Sequence, residues 1–241
     1  ADRGAVRLND PELVRRQYET EAGLAVRRDA QLRWREGPDA FDTAFEAVVR
    51  SQPRRVLEVG CGMGQFAERV ARATSAAVVA TDFSPRMVEL ARGRGLDARV
   101  ADVQALPFDD AEFDCAVALA MLYHVDDLDS ALRELARVLE PDGTFVSMTL
   151  GAEHMREVWE LVGFSLPERP FSRENGEEHL RRHFARVSRT DVEATLVFPD
   201  APAVHAYVES TFFSAEVPRP LPEFEGPFRS GVRATVFVAA R

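Results

Sequence analysis

The sequence predicts an α/β fold in which a mostly parallel, seven-stranded sheet carries helices on both faces. Three observations predict it. From Arg54 to Leu150 short apolar runs alternate with helical patterns, the spacing that returns each strand parallel to the one before. Phe113–Ala120 (FDCAVALA) is apolar on both faces, as a strand buried inside a parallel sheet must be. Leu132, Leu135, Ala136 and Leu139 recur at i, i+3, i+4 and i+7, one apolar stripe of a helix laid on that sheet.

Taken in order, Arg55–Val59 is the first strand and runs into a glycine cluster, and Gln65–Thr74 follows as a helix. Ala77–Thr81 is the second strand; Ser84 then caps a helix that has Pro85 at its first position. Ala98–Ala101 and Phe113–Ala120 are the third and fourth strands. Pro141 and the Asp142-Gly143 turn end the next helix, and Thr144–Leu150 is the fifth strand. Residues 10–50 read as helical, so 1–50 is expected to form a helical cap ahead of a 51–241 body. Helices are expected over 152–163, 174–185 and 203–213, and a sixth strand over Val192–Phe198. Val217–Phe228 is Pro-rich and reads as a loop, and Val232–Ala239 as a closing edge strand. The segment 199–231 would be an insertion at the rim of the sheet, its Phe212, Phe213, Phe224 and Phe228 either an apolar lid or packing onto the body.

Composition narrows the function. A net charge of −10 argues against a nucleic-acid partner, which needs a basic patch to displace counterions. All 30 basic residues are Arg; those between Arg15 and Arg35 are interleaved with Glu19, Glu21, Asp29 and Glu36 and read as a solvated helix face. No apolar run reaches the ~18 residues of a membrane span, and the first residues show no secretory pattern. Cys61 and Cys115 are too few for a disulfide framework, so a reducing cytoplasm is the expected setting.

The chemistry sits at three strand ends. Glu58-Val59-Gly60-Cys61-Gly62-Met63-Gly64 places glycines between a strand and a helix, where a ligand approaches backbone N–H groups. Dinucleotide folds space these glycines G-x-G-x-x-G, whereas here they read G-x-G-x-G behind an acid. A carboxylate there repels a pyrophosphate and welcomes a cation, which disfavours a nicotinamide cofactor. Asp82 ends the second strand and can accept from both ribose hydroxyls, with Phe83 against an adenine face. Asp102 and the Val103 N–H, ending the third, can take the adenine amine and a ring nitrogen.

These segments, with VLEVGCGMG (56–64), ATDFSPRMVELA (80–91), ADVQALPF (101–108), FDCAVALAMLYHV (113–125) and LRELARVLEPDGTF (132–145), resemble class I S-adenosylmethionine methyltransferases of the type 11 group. The resemblance covers about residues 54–150 and implies a Rossmann-like fold with S-adenosylmethionine as cofactor. It further implies that Gly60, Gly62 and Gly64 line the methionine portion, and that Asp82, Phe83, Asp102 and Val103 hold the nucleoside. Ala118 and Leu119 would lie beside the methyl, and the N-terminal DPELVRRQYETEAGL would close over the cofactor and bring Tyr18 near it.

Methyl transfer from a sulfonium needs positioning and dryness more than a fixed catalytic signature. His124 and Tyr123 are the candidate catalytic residues: His124 as a general base or as a backbone-bonded anchor of its loop, Tyr123 as a wall. His179 and His183 share a helix face at i, i+4, but Leu180 stands where a metalloprotease has Glu, so no metal is expected. The expected partners are a small-molecule methyl acceptor and a second copy of the chain in a homodimer, with no membrane. RNA-base or protein methylation, and a cofactor-binding protein without catalysis, are the alternatives.

Overall fold

The computed structural model describes residues 7–241; residues 1–6 of the expected cap lie outside the described residues. Eight strands form one sheet: β1 (Arg35–Glu36), β2 (Arg55–Val59), β3 (Ala77–Asp82), β4 (Asp97–Val100), β5 (Phe113–Leu119), β6 (Leu139–Leu150), β7 (Arg186–Phe198) and β8 (Phe228–Ala240). Their order is β1-β7-β8-β6-β5-β2-β3-β4. Strands β2 to β6 are mutually parallel; β8 runs antiparallel to β6 and β7, and β1 antiparallel to β7. The chain order reverses between β2 and β5, which opens a crevice at their carboxyl ends, where open α/β sheets bind ligands.

Helices α1 (Pro11–Gln17), α2 (Ala22–Trp34) and α3 (Ala40–Arg50) precede β2. Within the body stand α4 (Gln65–Ala73), α5 (Pro85–Arg92), α6 (Leu128–Val138), α7 (Arg156–Leu161), α8 (Gly176–Arg181) and α9 (Ala201–Glu209). The stripe on α6 packs with Leu57, Phe113, Phe145 and Phe237 on one face of the sheet. Ala44 and Val48 of α3 and Phe66 and Val70 of α4 pack with Val56, Val117 and Val146 on the other. A separate core beyond the sheet's carboxyl end joins Trp159, Phe198, Tyr207, Val208 and Phe213.

Sheet class and parallel core agree with the sequence expectation, and several details differ: β6 already begins at Leu139, so Pro141 and the Asp142-Gly143 turn lie within it, and α7, α8 and α9 are shorter than the expected 152–163, 174–185 and 203–213. The strand count is eight because Arg35–Glu36 breaks the expected 10–50 helical run, pairing with Leu196 and Thr195. β8 is an interior strand, bonded to β6 on one side and β7 on the other; its alternation reflects Arg233 and Val238 being only partly covered. β7 begins six residues before the expected Val192, and its polar first half, mostly exposed, is held by backbone pairing to β8.

Candidate functional site

One cavity of about 1080 Å³ opens along the carboxyl ends of the sheet, beneath α1 and α2. Pockets for a single small ligand run to roughly 300–1,000 Å³. The cavity therefore has room for two partners, and its two ends differ in charge.

At the β2–β4 end, Gly60 has φ +63°, and a Cβ there would stand 2.7 Å from Met121 Cγ, so only glycine lets the turn pass beneath Met121, two residues beyond β5. Asp82 accepts from the Gly62 N–H at 2.8 Å and the Ser84 N–H at 2.8 Å, which fixes the carboxylate and ties the glycine loop to β3. Each oxygen keeps a lone pair for a further donor. Glu58 is buried, and its Oε2 has no hydrogen-bond partner. Burial, reinforced by the nearby Asp82, pushes its carboxyl up to about 8, against the opposing pull of Arg28. An orphaned buried carboxyl oxygen costs free energy unless a donor arrives. Phe83 is 44% exposed with the Arg15 guanidinium over its ring, 5.6 Å from the centroid. Asp102 is held by the Gln104 backbone and side-chain amides at 2.9 and 3.0 Å, and Val103 is buried beside it.

Beyond β5 the chain turns sharply at Ala120 (φ +54°), an uncommon conformation for a residue with a Cβ, and its N–H is held by the Met148 carbonyl at 2.8 Å. The following turn of 3₁₀ helix, Leu122–His124, brings His124 under the cap. His124 Nδ1 donates to the Leu8 carbonyl at 2.9 Å, so Nε2 carries the lone pair and accepts from the Tyr18 hydroxyl at 3.3 Å. Burial, with smaller contributions from Arg27 and Arg169, lowers the imidazole to about 4. A histidine so engaged is a weak proton acceptor at neutral pH and a strong anchor for Leu8 and Tyr18. Tyr123 is buried in the same wall.

The other end lies over β6 and β8, several strands away at 4.7–4.9 Å each. Its walls are Trp159, Tyr207, Phe212 and Phe213, with His154 and the guanidiniums of Arg27 and Arg169. Phe224 and Phe228 instead pack against each other with tilted rings, centroids 5.4 Å apart, outside this lining.

The structure thus brings Glu58, Gly60, Gly62, Asp82, Phe83, Asp102, Val103, Leu119, Tyr123, His124 and Tyr18 to one cavity. Two expected residues stand apart from it. Ala118 is fully buried within the sheet, and Gly64 packs on α5, where a Cβ would meet Ala91 and Leu96 within 3 Å. The Arg15–Arg35 segment is in part the solvated face its charge pattern suggested, with Arg15, Arg16, Arg28 and Arg33 exposed, but Arg15 and Arg28 also border the cavity, and Arg27 and Arg35 are half-buried in its wall. A helix read without its neighbours could not reveal that. Arg169, His154 and Tyr207 carry no motif and come from distant segments. His183 pairs with Asp129 at 2.8 Å, and among the described residues no His, Cys, Asp and Glu cluster could hold a metal. Nor, among them, is any helix long and apolar enough to cross a membrane.

A parallel sheet with its crevice at the order reversal, three acidic strand ends and a two-ended cavity define a class I S-adenosylmethionine-dependent methyltransferase architecture. Comparison with known proteins agrees: residues 57–147 match the type 11 family described as a methyltransferase domain, and the chain carries such a domain. It is 36% identical over 164 residues to a malonyl-[acyl-carrier protein] O-methyltransferase of Halorhodospira halophila, covering 64% of this chain and 54% of that one. It is 40% identical over 124 residues to a demethylmenaquinone methyltransferase of Thermus thermophilus, covering 48% and 54%. The chain thus spans about half the length of these relatives. The fold is shared with a SAM-dependent methyltransferase from Thermotoga maritima at a TM-score of 0.60 and 22% identity, over 94% of this chain and 99% of that one.

Proposed function

We propose that this chain is an S-adenosylmethionine-dependent methyltransferase that methylates an oxygen, nitrogen or carbon of a small metabolite. The observation that carries the reading is the orphaned, buried Glu58 Oε2 beside the Asp82 carboxylate at the crevice, an arrangement that suits an ammonium and a ribose. When bound, the cofactor supplies a methyl group already activated on a sulfonium. Glu58 would take the ammonium and Arg28, the guanidinium acting on it, the cofactor's carboxylate. Asp82 would hold the ribose hydroxyls, Phe83 and Arg15 would flank the adenine, and Asp102 with the Val103 N–H would read its edge.

Residues 7–50 act as the cap of a 51–241 body, and 199–231 as the lid over the acceptor end, with Phe212 and Phe213 facing the cavity. His124 is a positioning residue that locks Tyr18 and the cap, while Tyr123, Leu119 and Met121 wall the transfer region and exclude water. The names of the two relatives, which specify malonyl-[acyl-carrier protein] and demethylmenaquinone, support a metabolic acceptor over a nucleic acid.

Titration of S-adenosylhomocysteine into the wild-type chain and an Asp82→Ala variant tests the reading. Micromolar binding, weakened ten- to a hundredfold in the variant (about 1.5–3 kcal/mol), is expected. A folded wild-type chain that binds neither S-adenosylhomocysteine nor S-adenosylmethionine overturns it.

A further inference from the structure

Of the arginines lining the cavity, Arg35, Arg69 and Arg86 are paired with Asp39, Asp42 and Glu21. Arg15, over Phe83, and Arg28, acting on Glu58, belong to the cofactor end, whereas Arg27 and Arg169 face the other. Among the described residues neither meets a carboxylate within ion-pair distance. Arg27 donates from Nη1 to the Ser210 carbonyl, and Arg169 from Nη1 to the Gly151 carbonyl at 3.0 Å. A guanidinium has five N–H donors, so most of each fork stays free. Burial lowers Arg169, half-buried at the cavity wall, against the smaller opposing pull of Tyr123, Tyr207 and Glu174. The acid that acts on it, Glu174, is exposed and accepts from the Ala152 N–H at 3.2 Å.

The groups around these two arginines are donors as well. His154 Nδ1 accepts from the Arg233 N–H at 3.3 Å, so the neutral ring carries its proton on Nε2. Burial lowers this imidazole to about 3, so it stays neutral. Tyr123 and Tyr207 are buried and feel both guanidiniums, and their hydroxyls have no partner among the described residues. The acids that line the cavity, Glu58, Asp82 and Asp102 foremost, belong to the cofactor end. An unpaired, partly buried charge is costly, and the group that relieves this one is an anion.

From this convergence we propose that the methyl acceptor is a small carboxylate on a flat apolar body. Its carboxylate is anchored by Arg27 and Arg169, and its body lies against the wall that Trp159, Phe212 and Phe213 form together. The inference rests on the methyltransferase reading and names the substrate class of that site. The planar fork of an arginine matches a carboxylate through two parallel hydrogen bonds, and aromatic walls match a flat body. The carboxylate is the anchor; the body extends from it toward the rim after β5.

The test measures binding to the chain saturated with S-adenosylhomocysteine, so that failure of the cofactor reading appears first and separately. The probes are benzoate, phenylacetate, 3-phenylpropanoate and octanoate, each beside its neutral amide. Aromatic carboxylates are expected to bind, with the amides and octanoate at least tenfold weaker. Arg169→Met should weaken the carboxylates at least tenfold while leaving S-adenosylhomocysteine affinity and the melting midpoint unchanged, and Arg169→Lys should recover part of the loss. Equal binding of acids and amides, an Arg169→Met chain that holds carboxylates as well as the wild type, or no carboxylate binding at millimolar concentration overturns the proposal. Octanoate binding as tightly as the aromatic acids overturns the flat body.

Discussion

Glu58 changes its chemistry when the cavity fills. In the free protein its carboxyl sits near 8, so at pH 6.5 it is almost wholly protonated. An ammonium beside the orphaned Oε2 favours the ionised form, and the proton must leave. Binding of S-adenosylhomocysteine at pH 6.5 is therefore expected to release close to one proton. Release should fade as pH rises past about 8, where the free protein has already ionised. Calorimetry in two buffers of different ionisation enthalpy measures this, and Glu58→Gln should abolish it. His124 and His154 contribute to stability in acid. Their folded pKa values, about 4 and about 3, lie below the usual 6.5, so the unfolded chain binds more protons over that window. Their contribution is complete above pH 6.5 and is lost as pH falls toward 4 and then 3, so urea midpoints should drop steeply there and less so in His154→Gln.

At the scale of elements, α3 is packed on the sheet, but α1 and α2 bury few side chains. α1 buries no residue and α2 buries only Ala30. Besides His124, which holds Leu8 and Tyr18, they are fastened by Ser84 donating to the Tyr18 carbonyl at 2.8 Å, the Arg86–Glu21 pair, and Gln17 and Arg27 sharing the Ser210 carbonyl. Gly23 permits the approach of α2 to the end of α9, since a Cβ there would stand 2.7 Å from that same carbonyl oxygen. Gly23→Val should lift α2, weaken S-adenosylhomocysteine at least tenfold and expose 7–34 to protease, with the melting midpoint of the body nearly unchanged. Elements were legible in the sequence where burial imposed a period. The α6 stripe and the doubly apolar β5 are readable because both sides of the contact are written locally. The first half of β7 is not, because Arg186, Ser188 and Arg189 are exposed and backbone pairing alone makes them a strand. The cofactor end was legible because its residues stand at consecutive strand ends. Arg169 and His154 were not, because only tertiary folding sets them opposite α2.

For the molecule as a whole, the matched 57–147 segment supplies β2 to β6 and half of a cavity; the cap, β7–β8 and α9 supply the rest. A ligand that fills the crevice should stabilise the entire fold by mass action, about 2.7 kcal/mol at a hundred times its Kd. For a chain of this size that is a rise of roughly 5–10 °C in the melting midpoint, readable by calorimetry with S-adenosylhomocysteine. The all-arginine composition has a consequence inside the cavity too. Whatever holds an activated methyl group risks self-alkylation, and the nucleophiles an alkylating agent seeks are amines, thiolates and free imidazole nitrogens. The 241 residues contain no lysine, so every cation in the wall is a guanidinium, which stays protonated and does not attack carbon. Cys61, in the same wall, has its thiol pushed up by burial and kept from becoming a thiolate. The one exposed lone pair of His124 is covered by the Tyr18 hydroxyl. The cations, the thiol and the imidazole of the wall thus bind charge or pack while being poor nucleophiles, which favours alkylation of the acceptor over the wall.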